Sequence, residues 1–203
     1  MERTPSPQPR FSERFLLRPF RRRDVDPLLE AVLSSLPELH QWLPWAHMGY
    51  GRTDAAGFVR DSMRSWQEGR AFDFAVRRTS EPDRHIGNVS VWYVSHSYRS
   101  AEIGYWVRSD ETGQNVATEA SKAALQVIFE ELRMHRAVLR IAEGNRGSER
   151  VAEKLGFTRE GLLREEIRVR GAWLDHSVWG LLEHEYRRRL QASEVRRRFP
   201  AQA

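Results

Sequence analysis

The stretch Glu111-Thr112-Gly113-Gln114-Asn115-Val116-Ala117-Thr118-Glu119-Ala120 carries the clearest chemical signal in the chain. It follows the strand-like run Ala101-Glu102-Ile103-Gly104-Tyr105-Trp106-Val107 and opens a helix-like run beginning at Val116. A polar, glycine-bearing turn that leaves a strand and enters a helix suits an anion. The first N–H groups of the helix lack intrahelical partners, and the aligned peptide dipoles put partial positive charge at that end. A pyrophosphate meets both conditions, so the turn points to a phosphorylated cofactor gripped by backbone. A plain connection between two elements has the same local composition, and these residues alone leave both readings open. The fingerprints G-x-G-x-x-G and G-x-x-x-x-G-K-[ST] are absent, which removes support for dinucleotide and P-loop readings.

Other residues with chemical potential are more ambiguous. Ser148 precedes a short helical run ending at Gly156, and locally it reads as an N-cap. His85, His96 and His176 are possible bases by their ordinary titration range, but no spacing of His, Asp and Glu resembles a metal site. Glu165 and Glu166 are neighbours on a predicted strand, where successive side chains face opposite ways, so at most one points inward. Trp42 and Trp45 suit either the packing of the first helices or the wall of an apolar cleft. The absence of Cys excludes disulfides and a thiol nucleophile.

The elements that must position these residues alternate between helix and strand. A strand is predicted over 15–19, then a helix from an Asp24 N-cap to about residue 36. A loop rich in Pro and Trp leads to a helix capped by Thr53 or Asp54, in which Ala56, Val59, Met63 and Trp66 recur at helical spacing. Strands are predicted over 71–78, 86–94, 101–107 and 136–142, with a helix from the Gly113 turn to about residue 134. A second short helix, 148–156, precedes a hairpin of 157–169 and 173–183 around Arg170-Gly171. Gly156 ends that helix and Phe157 enters the core.

Composition sets the outer limits. The 203 residues fit a single domain, and a hydrophobic fraction of 40%, with seven Trp and nine Phe, is enough for a real core. No run approaches the roughly 20 apolar residues of a membrane helix. Residues 1–12 are Pro-rich and polar, lack a secretory apolar centre, and are expected to form a flexible arm. The expected domain is 13–186, followed by a basic tail, 187–203. The absence of Cys fits a reducing, cytoplasmic compartment. The formal charge is +5, and Lys122 and Lys154 are the only lysines. Arginine clusters at 21–23, 187–189 and 196–198 read as solvated surface, with attraction to RNA as the alternative; any such binding is expected to be non-specific and salt-sensitive.

The segment Asn145-Arg146-Gly147-Ser148, a short helix, then Gly156-Phe157 and Glu160-Gly161 resembles a hallmark of the GNAT acyltransferase superfamily. Together with 101–107 and 113–120 it is similar to the ribosomal-protein N-acetyltransferase (RimJ/RimL-type) branch. Phe15-Leu16-Leu17-Arg18-Pro19, Gln41-Trp42-Leu43-Pro44-Trp45 and the run 170–179 extend the similarity in order from about residue 15 to 186.

This resemblance implies a mixed α/β GNAT fold, with a central, mostly antiparallel, splayed sheet of about seven strands flanked by helices. It implies acetyl-CoA as co-substrate, no metal, and transfer of an acetyl group, or alternatively a succinyl group, to a primary amine by direct attack. The acceptor is expected to be a small molecule or peptide, including a ribosomal or other protein N-terminus. No specific nucleic acid and no membrane partner are expected, and a homodimer is allowed. The other class of reading is a non-catalytic GNAT-fold module that binds acyl-CoA or a partner.

Residue by residue, the resemblance implies that Gly113, Gln114, Asn115, Val116, Ala117 and Thr118 cradle the pyrophosphate of coenzyme A. Trp106, Val107 and Asn145 would hold the pantetheine arm, and Ser148 would lie near the sulfur as the acid. Glu102 is the expected base, with Glu166 as its rival. Trp42, Trp45 and Tyr105 are the expected acceptor wall. The cradle departs from the branch pattern Gln/Arg-x-x-Gly-x-Gly/Ala, because Thr112 stands for Gln or Arg and Asn115 for the central Gly. Asn is the non-glycine residue that best tolerates left-handed backbone, so the loop is expected to keep its shape.

Overall fold

The computed structural model describes residues 4–198, with side chains through residue 192; the arginines at 196–198 therefore lie outside the described side chains. Eight strands form one sheet in the order β1-β2-β3-β4-β5-β6-β8-β7. They are β1 (Arg10–Phe11), β2 (Phe15–Pro19), β3 (Ala71–Arg78), β4 (Gly87–Ser95), β5 (Ser100–Val107), β6 (Arg136–Ala142), β7 (Thr158–Val169) and β8 (Ala172–Leu182). The helices are α1 (Val25–Leu33), α2 (Leu36–Leu39), α3 (Arg52–Gln67), α4 (Val116–Gln126), α5 (Arg146–Leu155) and α6 (Glu183–Arg198). Every strand pair is antiparallel except β5–β6, which is parallel.

The β5–β6 ladder is short. It pairs Ser100 with Arg136, Ala101 with Ala137 and Glu102 with Val138, and then stops. Beyond it β5 continues to Val107 bound only to β4, while β6 continues to Ala142 bound to β8. The splay leaves main-chain groups of 105–107 without a sheet partner on one side, and such groups need another partner when buried.

Helices cover both faces. Val116, Ala120 and Ala124 of α4 recur every four residues as a buried stripe, and their small size brings the helix close to β4 and β5. On the other face Leu28, Ala31 and Val32 of α1 pack with Ala55 and Val59 of α3 against Ala75 and Trp106. Large aromatics pack on β3, where Trp66 meets Phe72 and Phe74 edge-on at 5.3 and 4.9 Å.

Several local expectations change in the folded chain. Residues 10–11, assigned to the arm, form β1, and Arg10 pairs with Glu131 at 2.6 Å. The boundary at 186 falls inside α6. Asp24 stands before α1, but its side chain does not cap it. It accepts from the Arg21 N–H at 2.7 Å, from Arg18 twice at 2.7 Å and from Arg77 at 2.9 Å. Two buried guanidiniums outcompete a helix N–H for a carboxylate. The cap of α3 is Gly51, and Asp54 reaches back to its N–H at 2.8 Å, which satisfies an otherwise orphaned donor. The predicted cap at Ser148 is instead Asn145, whose Oδ1 accepts the Ser148 N–H at 3.1 Å.

His85 is fully buried between Phe20 and Trp106, and its Nε2 bonds Asn88 Oδ1 at 3.0 Å. Burial, assisted by the Arg77 charge, lowers the imidazole from 6.5 to about 3. The folded state thus binds fewer protons than the unfolded state between those values. Stability is expected to fall as pH drops from 6.5 toward about 3, at up to about 1.4 kcal/mol per pH unit from this group. His85→Phe should reduce the slope of unfolding free energy against pH by close to one proton; an unchanged slope would exclude a neutral, buried His85 as its source.

Candidate active site

Two clefts flank Tyr105 and Trp106. The first, about 320 Å³, is lined by the 112–118 turn, by Tyr105, Trp106 and Val107 of β5, by the start of α5, and by Leu39, Trp42 and Leu43. Its local backbone is built for an anion. Asn115 has φ 63°, and Gly113 has φ 76°. A Cβ on Gly113 would meet no atom within 4 Å, so its glycine serves the backbone angle rather than close packing. Asn115 keeps the left-handed geometry expected of it, and Lys154 Nζ donates to its Oδ1 at 2.7 Å. Lys154 and Arg150, one helical turn apart on α5, both line this cleft. Glu38 and Glu111 also line the cleft, but Glu111 is held by Arg78 and Arg84 and Glu38 accepts from Ser109 Oγ at 2.9 Å, so orphan helix N–H groups, open space over Gly113 and two cations fit a phosphorylated ligand.

Asn145 and Ser148 reach the same cleft from the start of α5. The Tyr105 phenol donates to the Ser148 carbonyl at 3.3 Å, which ties β5 to α5 across the splay. Burial pushes the Tyr105 hydroxyl up to about 12, so it stays protonated near neutral pH. Gln114 does not line either cleft. Its side chain turns outward, accepting from Arg78 and donating to the Asp110 carbonyl at 3.3 Å.

The second cleft, about 660 Å³, lies between the sheet face of β4–β5 and helices α1 and α3. Trp45, Tyr50, Phe58, Trp92 and Trp106 give it aromatic walls, and Asn88 and Ser90 supply polar atoms from β4. The Trp92 ring lies on Gly104, where a Cβ would come within 2.7 Å of it. Asp54 and Asp61 lie seven residues apart on α3 and line the cleft, which has no Lys or Arg on its wall. Leu43, Tyr105 and Trp106 line both clefts. The two clefts thus meet on either side of one strand.

The expected acceptor wall divides. Trp45 and Tyr105 line the second cleft, but Trp42 lines the first, with the anion cradle. The two expected carboxylates lie on neither wall. Glu102 is buried and accepts from Arg140 Nε and Nη2 at 2.9 and 2.6 Å, while Arg140 Nη1 donates to Glu166 at 2.5 Å. Burial pushes the Glu102 carboxyl up, against the hydrogen bonds and charge of Arg140. A bulge in β7 between Leu163 and Ile167, with Glu165 at φ 51°, turns Glu166 inward and leaves Glu165 exposed. His176 Nδ1 stands 3.9 Å from Glu166. No group of three His, Cys, Asp or Glu side chains able to hold a metal occurs among the described residues.

Arg150, Asp61, Ser90 and Trp92 escaped the sequence reading, and Asp54 and Lys154 were not read there as cleft residues. One signal was available: Lys154 is one of two lysines in the chain and lies nine residues after Asn145.

A splayed mixed sheet with a turn suited to an anion at the head of α4 and a second cleft across the splay fits a group-transfer enzyme. Residues 14–158 match the acetyltransferase (GNAT) domain family, and the chain belongs to that family. It is 27% identical over 176 residues to the putative ribosomal N-acetyltransferase YdaF of Bacillus subtilis, covering 86% of this chain and 94% of that protein. It is also 26% identical to the ribosomal-protein-serine acetyltransferase of Escherichia coli, over 76% of this chain and 85% of that one. A further relative, the probable N-acetyltransferase YjcK of Bacillus subtilis, is 36% identical, but the match spans 58% of its length. Among solved structures, Mycobacterium smegmatis RimJ in complex with CoA-disulfide superposes with a TM-score of 0.77 at 29% identity, over 89% of each chain.

Proposed function

We propose that the protein transfers an acetyl group from acetyl-CoA to a primary amine by direct attack in a ternary complex. The observation that carries this reading is the meeting of the two clefts at Tyr105 and Trp106, one holding the helix-opening turn with Arg150 and Lys154, the other lined by Asp54 and Asp61 with no Lys or Arg. Acetyl-CoA supplies an acyl thioester already activated toward amines. Backbone N–H groups of 113–118 hold the pyrophosphate, and Arg150 and Lys154 add charge. Main chain of Trp106 and Val107 holds the pantetheine arm and presents an N–H to the thioester carbonyl, where negative charge develops. The Asn145 amide nitrogen, left available by the cap bond through Oδ1, bonds the same arm. Ser148 stands by the sulfur as proton donor.

On the acceptor side, Asp54 and Asp61 attract an ammonium, and the indole and phenol faces favour a cation. Relatives named a putative ribosomal N-acetyltransferase and a ribosomal-protein-serine acetyltransferase support a protein acceptor, whose N-terminus is the amine in our reading. The non-catalytic alternative rests on the Thr112 and Asn115 departures, and the left-handed geometry of Asn115 weakens it. No helix among the described residues is long and apolar enough to cross a membrane, and the reaction belongs in our reading to the cytoplasm.

Calorimetric titration tests the cradle first. Coenzyme A should bind, and pantetheine without its phosphates should bind far more weakly; equal affinities would remove the anion site. Asn115→Gly should leave coenzyme A binding unchanged or tighter, since glycine adopts the same backbone angle freely. Thiol release from acetyl-CoA is then measured with peptides of free N-terminus, an aromatic monoamine and a polyamine.

A further inference from the structure

An amine must lose its ammonium proton before it attacks, and the carboxylates expected to take it are bound to Arg140. A carboxylate that shares a guanidinium is a weakened base, because its negative charge is already compensated. Asp73 differs. It sits on β3, directly across from Ser90 of β4 in the antiparallel register, so both side chains rise on one face. Asp73 is buried, and its carboxylate accepts hydrogen bonds from the hydroxyls of Ser90 and Ser62. Ser90 lines the acceptor cleft, and Ser62 comes from α3, which closes that cleft from above.

The structure assigns Asp73 a positioning role in the reaction that rests on the acetyltransferase reading: we propose that it receives the acceptor's proton through Ser90. The balance is simple. The Ser90 oxygen accepts the ammonium N–H, that N–H bond breaks as an O–H bond forms, and the original Ser90 hydroxyl proton moves to the Asp73 carboxylate. Serine ends as it began, Asp73 ends neutral, and the amine keeps the lone pair that attacks the thioester carbon. Burial raises the Asp73 carboxyl, and the two hydroxyl donors oppose that rise. Burial raises the Glu102 carboxyl too, but there a guanidinium opposes the rise and occupies the oxygens, whereas at Asp73 only neutral hydroxyls do, one of them on the wall of the acceptor cleft.

The surrounding charges leave Asp73 this task. Along β3, Arg77 is engaged by Asp24 at 2.9 Å. On α3 and the loop before it, Asp54, Asp61 and His47 line the cleft, and Arg60 pairs with Asp61 at 3.1 Å. Tyr50, pushed up to about 12, and Tyr105 remain protonated near neutral pH. From β4 the neighbours are Asn88, bonded to the neutral His85, and Trp92.

The test compares Asp73→Asn, Ser90→Ala, Ser90→Thr and Glu102→Gln in the full chain. Asp73→Asn and Ser90→Ala should each lower kcat roughly 10²-fold or more near pH 7, with KM for acetyl-CoA unchanged. The loss should shrink as pH rises and the free amine deprotonates in solution. The double variant should lose no more than the worse single variant, because both act in one path. Ser90→Thr, which keeps the hydroxyl, should retain most of the rate. If Asp73→Asn does not fold, Ser90→Ala decides. An unchanged pH–rate profile in Ser90→Ala, or a profile altered by Glu102→Gln alone, overturns the proposal. A wild-type protein that binds coenzyme A but acetylates no amine refutes the transferase reading instead.

Discussion

Ser148→Ala is expected to slow acetyl transfer by about 10²-fold, the lower end of general acid catalysis, with almost no loss of stability. The reasoning turns on the cap. Were Ser148 the N-cap of α5, alanine would cost about 1 kcal/mol. The cap is Asn145, and what it receives is the Ser148 backbone N–H, which alanine retains. Ser148 occupies the first turn of α5 with its residue on the wall of the coenzyme cleft. A departing thiolate is stabilised by a proton, and in our reading the Ser148 hydroxyl, one of several hydroxyls on that wall, supplies it. Tyr105→Phe is the necessary comparison, because the Tyr105 phenol lies against the Ser148 carbonyl at 3.3 Å and remains protonated at neutral pH. If Ser148→Ala keeps full rate and Tyr105→Phe is crippled, the proton comes from the phenol. Thermal unfolding of both variants separates this from a packing effect.

The residues that were legible from sequence are those whose role is local. The strand–turn–helix around Gly113 could be read as an anion cradle because the relevant groups, free helix N–H groups and a tolerant turn, sit within a few residues of one another. The helical stripe of α3 was equally local, whereas the alternating residues of 71–78, which suit a half-buried strand, lie in a β3 buried on both faces. What could not be read is partnership across the sheet. Nothing in the pattern around Glu102 announces that Arg140, 38 residues later, will bind it and Glu166 together. Asp73 and Ser90 are 17 positions apart, and only the β3–β4 register makes them neighbours. Trp42 and Trp45 look alike in sequence, yet an irregular loop without periodicity sends them to different clefts. Asn145 and Ser148 are both good caps, and three residues of spacing let either fit. Gln114 looked like part of the cradle because it lies inside it, but Arg78, from β3, draws it outward.

The largest effect on stability is expected at Asp24. Asp24→Asn should destabilise the fold by about 3–5 kcal/mol, the range for removing one partner of a buried ion pair. Asp24 and Arg77 each keep 1% of their side-chain surface exposed, and Arg18 keeps 7%. Burial alone would raise the Asp24 carboxyl. Hydrogen bonds from Arg18 and the Arg21 N–H, with the charges of Arg18 and Arg77, overcome this and hold it below 3.8. The sign follows: the contribution is fully present above that value and is lost as pH falls through the folded one. Asparagine can still accept from the Arg21 N–H, but it leaves two guanidiniums facing each other without a counter-charge. The denaturation midpoint should therefore drop at unchanged m-value. The damage should also reach the acceptor cleft. Asp24 sets the entry to α1, whose Leu28 and Val32 line that cleft, and Arg77 holds the carbonyl of Pro82 at 3.1 Å just before His85 and Asn88. Asp24→Asn is thus expected to raise KM for the amine more than for acetyl-CoA, measured at a temperature where the variant is folded. Equal stability of variant and wild type would mean that the two arginines are neutralised by water or by their carbonyl partners, and the buried ion pair would lose its place as the anchor of this half of the fold.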